Sequence, residues 1–383
     1  MGEGRLVTME LDMETALEGY ELRSVIAAEG RLQISLEPVT VREPGRDEVV
    51  VRVEAAPINP SDQGLLFGPA DPATLRAEGA TLVAAVPARR LSEVQARIGQ
   101  SLPVGNEGAG TVVRAGSNQQ HLIGRKVGMI GGAMYATYRL LPARDCIVLP
   151  DDVSAAEGAA LFVNPLTALG FVETMRRDGH HAIVHTAAAS NLGQMLVRVC
   201  QADDIALVNI VRSEEQVALL RGIGAVHVLN SNDPDFRTQL VDAIAATDAF
   251  LGFDPIGGGK LAGQILHAME QVASRQVEGH SRYGSDRFKQ VYIYGALDSA
   301  PTILNRSFGF AWAVGGWLLF PFLEKAGAET AERLRRRVAS EIKTTFASHY
   351  SATISLADVL KPESAAAYLR KGTGDKYLID PTL

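Results

Sequence analysis

Over residues 182–294 short apolar runs alternate with amphipathic helical patterns, and this alternation constrains the chain more than any other feature. The runs at 182–185, 206–211, 226–229, 249–253 and 290–294 are separated by helical stretches that begin at Leu192 and Glu214 and span 235–246 and 260–273. Strands joined by helices of this length pair in parallel, because each crossover carries the chain back along one face of the sheet. The segment is therefore expected to form a doubly wound α/β domain.

Upstream the rhythm differs. Short β-rich segments at 49–56, 110–115, 126–130 and 136–141 are punctuated by Gly and Pro, which predicts a compact β-rich first domain. Between them, 72–99 is rich in Leu, Ala and Arg and is read as a helical decoration over a cleft. A closing strand at 377–379 is expected to return to the first domain. A chain of 383 residues with 46% hydrophobic content exceeds what one core usually holds. The expected division is 1–155 with 325–383 as the β-rich catalytic domain and 156–324 as the parallel-sheet domain. Arg333, Arg335, Arg336 and Arg337 lie among Glu329, Glu332 and Glu341, the pattern of a solvated helix face.

Charge and cysteine usage exclude other classes. A net charge of −7 opposes a nucleic-acid footprint, which needs a basic surface, and leaves a small-molecule partner. Cys146 and Cys200 are far apart, so neither a disulfide framework nor a cysteine-built zinc lobe is available. None of the eight histidines shows ligand spacing, and no metal site is expected. The first twelve residues carry early charges and no apolar core of a secretory signal, and Leu6 stands where a myristoylation motif needs Ser or Thr. The uncharged stretch Ser307 to Leu323 contains Gly309, Gly315, Gly316 and Pro321 and is read as buried or interface structure, not a membrane anchor. The expectation is a cytoplasmic protein.

The junction after the first parallel strand, His185-Thr186-Ala187-Ala188-Ala189-Ser190-Asn191-Leu192-Gly193, is built of small residues. A dinucleotide turn needs them so that the pyrophosphate approaches a helix N-terminus closely. Ala188, Ser190 and Gly193 hold the three glycine positions; packing of strand on helix is the alternative reading. At the end of the second strand, where an NAD site places an Asp or Glu, stand Val211, Arg212 and Ser213. An uncharged residue followed by Arg suits a 2′-phosphate, which favours NADPH, and a solvent-facing Arg is the alternative.

Ile58-Asn59-Pro60-Ser61-Asp62, Gly105-Asn106-Glu107-Gly108, Asn164-Pro165-Leu166-Thr167-Ala168, the Ala-Ser-Asn-x-Gly-Gln turn and Asn209-Ile210-Val211-Arg212 occur in an order and spacing that resembles the medium-chain dehydrogenase/reductase superfamily. The chain is most similar to its zinc-independent branch of quinone oxidoreductases and 2-enoyl thioester reductases, with 72–99 and 272–289 as insertions. The resemblance implies a GroES-like catalytic domain beside a Rossmann domain. It also implies an NADPH site using Asn59, Asn164, Thr167, Ala188, Ser190, Asn191, Leu192, Gly193, Arg212, Ser213 and Gly295. Zinc-dependent relatives carry Cys where Asn59 aligns and His where Asn106 aligns, so zinc is not implied. A homodimer through 307–323 is.

For catalysis the resemblance implies Asn59 beside the nicotinamide; a turn-forming Asn is the alternative. Many relatives carry a Gly-x-Tyr turn whose Tyr donates a proton, but here the turn reads Gly68-Pro69-Ala70. Tyr135, in a Tyr-Ala-x-Tyr segment, is the replacement candidate, against a buried structural Tyr. The segment 279–284 is a further candidate border of the substrate, against a surface loop. The expected function is NADPH-dependent, zinc-free hydride transfer to a quinone or α,β-unsaturated carbonyl compound. The rivals are 2-enoyl thioester reduction and a non-catalytic NADPH-binding interaction protein.

Overall fold

A computed structural model describes residues 16–275, 281–370 and 376–383. The amino-terminal reading and His280, with Gly279, lie outside the described residues. By contacts the described residues separate into two compact units, 16–160 with 350–370 and 376–383, and 161–349.

In the first unit a central strand, Glu48–Pro57, is buried along most of its length. It pairs antiparallel with Glu107–Ala115 on one side. On the other it pairs with Tyr138–Pro142 over its first half and with Tyr377–Ile379 at its end. Lys126–Ile130, Cys146–Val148 and Ala352–Ile354 complete this sheet. A second sheet is built on Leu17–Ala27 and Arg31–Val41, two long strands in an antiparallel hairpin. The hairpin was not among the sequence expectations.

The stretch 72–99 is not the expected helix. Arg76–Glu78 and Thr81–Ala85 form a hairpin turning at Gly79, and the second strand pairs with Arg31 to Ile34. Only short 3-10 segments, Pro72–Thr74 and Ala88–Arg97, remain helical. Leu82, Val83 and Ala84 gain burial as strand residues against the long hairpin, which outweighs the helical propensity of the Ala and Arg around them.

The second unit carries a six-stranded sheet in which every neighbouring pair is parallel. Its order is His227–Asn230, Ala206–Val211, Ala182–Thr186, Leu251–Asp254, Lys289–Ile293, Trp312–Gly316. Written by sequence rank this is 3-2-1-4-5-6, the doubly wound order of a Rossmann sheet. The five expected strands are all present, and the stretch 307–323 supplies the sixth strand and the start of the helix Leu319–Ala326. One helical stretch, 155–177, is long and apolar enough by length and composition to cross a membrane, but most of it is buried inside the protein.

Residues 325–349 belong to this second unit, not to the first as expected. The helix Ala328–Ser340 is tied there by Arg337, which pairs with Asp203 at 2.8 Å, and by Arg333, which pairs with Glu173 at 3.1 Å. These two arginines are therefore anchors, where the sequence suggested a solvated face.

Candidate functional site

In the second unit the loops that leave the C-terminal ends of the parallel strands gather along one edge of the sheet, where doubly wound folds hold their ligands. The first strand ends at Thr186, and Ala187 then takes a left-handed φ of 48°, unusual for a residue with a Cβ. Ala188 is fully buried and donates its N–H to the Ile210 carbonyl of the neighbouring strand. Ser190 caps the helix Asn191–Ala202, its Oγ accepting from the Gly193 amide at 3.1 Å. A Cβ at Gly193 would lie 2.1 Å from the Ala188 carbonyl, so helix and turn approach as closely as only glycine permits. This is the tight, small-residue turn at a helix start that a pyrophosphate requires.

Around the turn, the hydroxyl of Thr186 donates to Asp254, a fully buried carboxylate that also takes the amides of Ile256 and Gly257. That network fixes the ends of two adjacent strands. Gly295 follows the next strand at the same edge. Arg212 is exposed, makes no ion pair among the described residues, and has its backbone held by Gln216 and Asn232. Ser213 is committed to capping the helix Glu214–Gly222. On the helix Val163–Arg177, the Thr167 hydroxyl returns to the Val163 carbonyl and Asn164 is half-buried. Asn191 reaches Ser348 at 3.3 Å. Leu192 is buried.

Ser281 to Gly284 do not share that edge. They precede the strand Lys289–Ile293, so they sit at its N-terminal end, opposite the turn at 187–190. As a border for a substrate held by that turn, this segment is ruled out by topology. Instead it leads into a buried cluster in which Lys289 pairs with Glu270 at 2.6 Å and both contact Ser285.

In the first unit the central strand ends at Pro57, and Pro60 starts the helix Pro60–Leu66 with Asn59 as its cap. The Asn59 amide donates to Asp62 Oδ2 at 2.8 Å, and the Asn106 amide donates to the other oxygen of the same carboxylate at 2.8 Å. Asp62 thus staples the two motifs together. Burial pushes its carboxyl up to about 7, against the two amide donors. Asn59 is 2% exposed; its Nδ2 donates to Glu107 Oε1 at 2.8 Å, and its Oδ1 is buried without a hydrogen-bond partner among the described residues.

Tyr135 is 0% exposed, and its hydroxyl donates to the Pro57 carbonyl at 3.0 Å. Burial, then the charge of Asp62, hold its phenol well above the usual range. A Cβ at Gly105, whose φ is 100°, would strike the Tyr135 ring and backbone. These contacts correct the expectation of Tyr135 as a cofactor-facing donor: the side chain is a packed support whose hydroxyl is already spent. Ala70, in place of the Gly-x-Tyr tyrosine, is buried and brings no donor.

A residue that sequence reading passed over joins this group. Lys376, just before the strand Tyr377–Ile379, buries its Nζ without a hydrogen-bond partner among the described residues. Burial pushes the ammonium down to about 8, against the pull of Glu107 and Asp62. No local pattern marks it, because only the distant pairing of 377–379 with the central strand brings it here. Among the described residues no group of three His, Cys, Asp or Glu side chains could hold a metal ion.

Residues 45–151 match the family described as the alcohol dehydrogenase GroES-like domain. The chain is 29% identical over 209 residues to the mitochondrial enoyl-[acyl-carrier-protein] reductase of Xenopus tropicalis, covering 51% of each chain. It is 27% identical over 220 residues to squalestatin hexaketide synthase of Phoma sp., covering 53% of this chain and 8% of the synthase. The matched stretch thus spans about half of the reductase and a small part of the synthase. Among solved structures, a proposed NADPH:quinone reductase of Mesorhizobium loti superposes with a TM-score of 0.71 at 25% identity, covering 95% of this chain and 98% of the other.

Proposed function

We propose that this chain, which belongs to the medium-chain dehydrogenase/reductase superfamily, is an NADPH-dependent oxidoreductase that reduces a quinone or an α,β-unsaturated carbonyl compound without zinc. The observation that carries the cofactor is the 187–193 turn, where Ala188 is sealed against the neighbouring strand and Gly193 lets the helix start close on it. The groups fit a dinucleotide: first-turn amides of the helix Asn191–Ala202 for a pyrophosphate, and Arg212, exposed and without an ion pair among the described residues, for a 2′-phosphate. The buried Asn59 Oδ1, without a hydrogen-bond partner among the described residues, is an acceptor suited to a carboxamide N–H. When bound, NADPH supplies a hydride to an electrophilic carbon or quinone.

The chain's own residues then position and exclude water. Asp62 and Tyr135 hold the segment around Pro57 and Asn59 rigid, so the Asn59 carboxamide is presented in one orientation. With Ala70 lacking a hydroxyl and Tyr135 committed, this wall offers no side-chain acid of the Gly-x-Tyr kind. That favours a quinone, whose reduced anion is basic enough to take protons from water.

Reduction of a 2-enoyl thioester is the second reading, favoured by the enoyl-[acyl-carrier-protein] reductase among the relatives. NADPH oxidation measured against quinones, alkenals and enoyl thioesters separates the readings. Turnover of quinones or alkenals with no enoyl thioester activity supports the first, and the reverse supports the second. NADPH binding without turnover of any of them supports a non-catalytic role.

A further inference from the structure

The carbonyl of Tyr377 accepts from the Ile58 amide at 2.9 Å, while Leu378 lies opposite Pro57 and Ile379 opposite Ala56. Continuing that antiparallel register by one step sets Lys376 across from Asn59. Asn59 and Lys376 thus flank the end of this strand pair, and each holds a buried polar atom with no hydrogen-bond partner among the described residues, Asn59 Oδ1 and Lys376 Nζ. Glu107 belongs to both: it accepts from Asn59 Nδ2 and attracts the Lys376 ammonium.

A side-chain amide has two ends, and what selects between them is the ionisation of its partner. A carboxylate only accepts, so it must face Nδ2 and leave Oδ1 outward; a protonated carboxyl can donate, and would satisfy Oδ1 instead. We propose that Lys376 is a positioning residue which, by keeping Glu107 in its acceptor-only carboxylate form, locks the Asn59 carboxamide with Oδ1 free to receive the cofactor's carboxamide. This rests on the NADPH reading above for its last step only.

Among the described residues, Asp62, Tyr135 and Tyr368 bring no cation to this site. Asp62, on the helix after Asn59, is acidic and would oppose ionisation of Glu107. The phenol of Tyr135 is held well above its usual range, and so is that of Tyr368, on the helix Pro362–Leu369. Tyr350 lies beneath Lys376, whose Nζ is 5.4 Å from its ring centroid, a cation–π contact that helps hold the ammonium in place. Asp62 already keeps its proton up to about 7 in the presence of Lys376, so removing the Lys376 charge raises the proton affinity of Glu107 as well.

The test compares wild type, Lys376→Met and Lys376→Arg between pH 5 and 9, each checked for an intact fold by its thermal transition. Carbon-13 carboxyl titration reads the lock without cofactor. The expected result is a Glu107 midpoint at least one pH unit higher in Lys376→Met, and near wild type in Lys376→Arg, where the charge is kept. NADPH titration followed by its fluorescence reads the consequence: Lys376→Met binds at least tenfold more weakly at pH 6 and recovers toward pH 8. A double variant, Lys376→Met with Glu107→Gln, should bind no more weakly than Glu107→Gln alone, since both act through one amide; this cycle serves if Lys376→Arg does not fold. An unchanged Glu107 midpoint, or additive losses in the cycle, overturns the proposal. A shifted midpoint with unchanged NADPH affinity keeps the effect of Lys376 on Glu107 but overturns the role of Asn59 Oδ1. Absence of NADPH binding by wild type refutes the cofactor reading instead.

Discussion

Arg212 offers the sharpest test of cofactor choice. Its backbone is fixed on both sides, the amide donating to Gln216 and the carbonyl accepting from Asn232 at 2.8 Å, so its substitution should leave the loop intact. Its guanidinium is exposed and forms no ion pair among the described residues, so binding a phosphate breaks no internal bond. A hydrogen bond to a charged group contributes about 1.5 to 3 kcal/mol. Solvent exposure puts this one at the lower end, and the acidic first turn of the following helix, Glu214 and Glu215, opposes it further. The expected loss for Arg212→Ala is therefore ~1.5 kcal/mol, roughly a tenfold rise in Kd for NADPH with NADH unchanged. Fluorescence titration at two ionic strengths measures it, and added salt should narrow the gap between the two cofactors in wild type but not in the variant. Equal wild-type affinities for the two cofactors, or an equal loss for both in the variant, would refute the assignment.

Other consequences of the structure can be measured without a substrate. Lys289→Met leaves Glu270 charged and buried, and should lower stability by about 3 kcal/mol, the low end for a broken buried pair because Ser274 and Ser285 still solvate the carboxylate; adding Glu270→Gln should recover most of this in denaturant melts. Recovery failing would mean that packing, not charge, is lost. Asp62 in the folded state keeps a proton up to about 7 that the unfolded chain releases near 3.8, so its contribution to stability falls as pH rises through that window. Asp62→Asn should flatten this part of the stability profile, and an unaltered slope would place the titration elsewhere. The strand Trp312–Gly316 is an edge of its sheet, flanked by Phe310 at 80% exposure, Leu318 and Phe320, and we expect a homodimer through it; a monomer by light scattering at micromolar concentration would exclude that.

The parallel sheet was legible because strands buried on both faces read as unbroken apolar runs, such as Ala-Phe-Leu-Gly-Phe at 249–253. Its sixth strand, Trp-Ala-Val-Gly-Gly, was harder to place, since its glycines give no such run. The hairpin of 17–41 went unread because charged residues such as Glu21 and Arg23 interrupt it on the less buried face. Asn59 and Glu107 were visible within local motifs, yet their hydrogen bond joins a helix cap to a strand far along the sequence, and nothing local foretold it. Tyr135 was singled out for its motif, but burial and the Pro57 carbonyl decide what its hydroxyl can do.

The pairing of residues 378 and 379 with 56 and 57 also bears on how the protein is made. The central sheet of the first unit takes strands from both sides of the second: Glu48–Pro57 finds Glu107–Ala115 and Tyr138–Pro142 early in synthesis, but its Pro57 end must wait for 377–379 until the whole of 161–349 has emerged. Closing a loop of that size as a flexible chain is entropically costly, whereas a second unit that has already folded shortens the effective tether between residues 160 and 350. Folding order is thereby written into the topology: a lesion confined to the parallel sheet would delay completion of the sheet that carries Asn59, and the wall around Lys376 forms last.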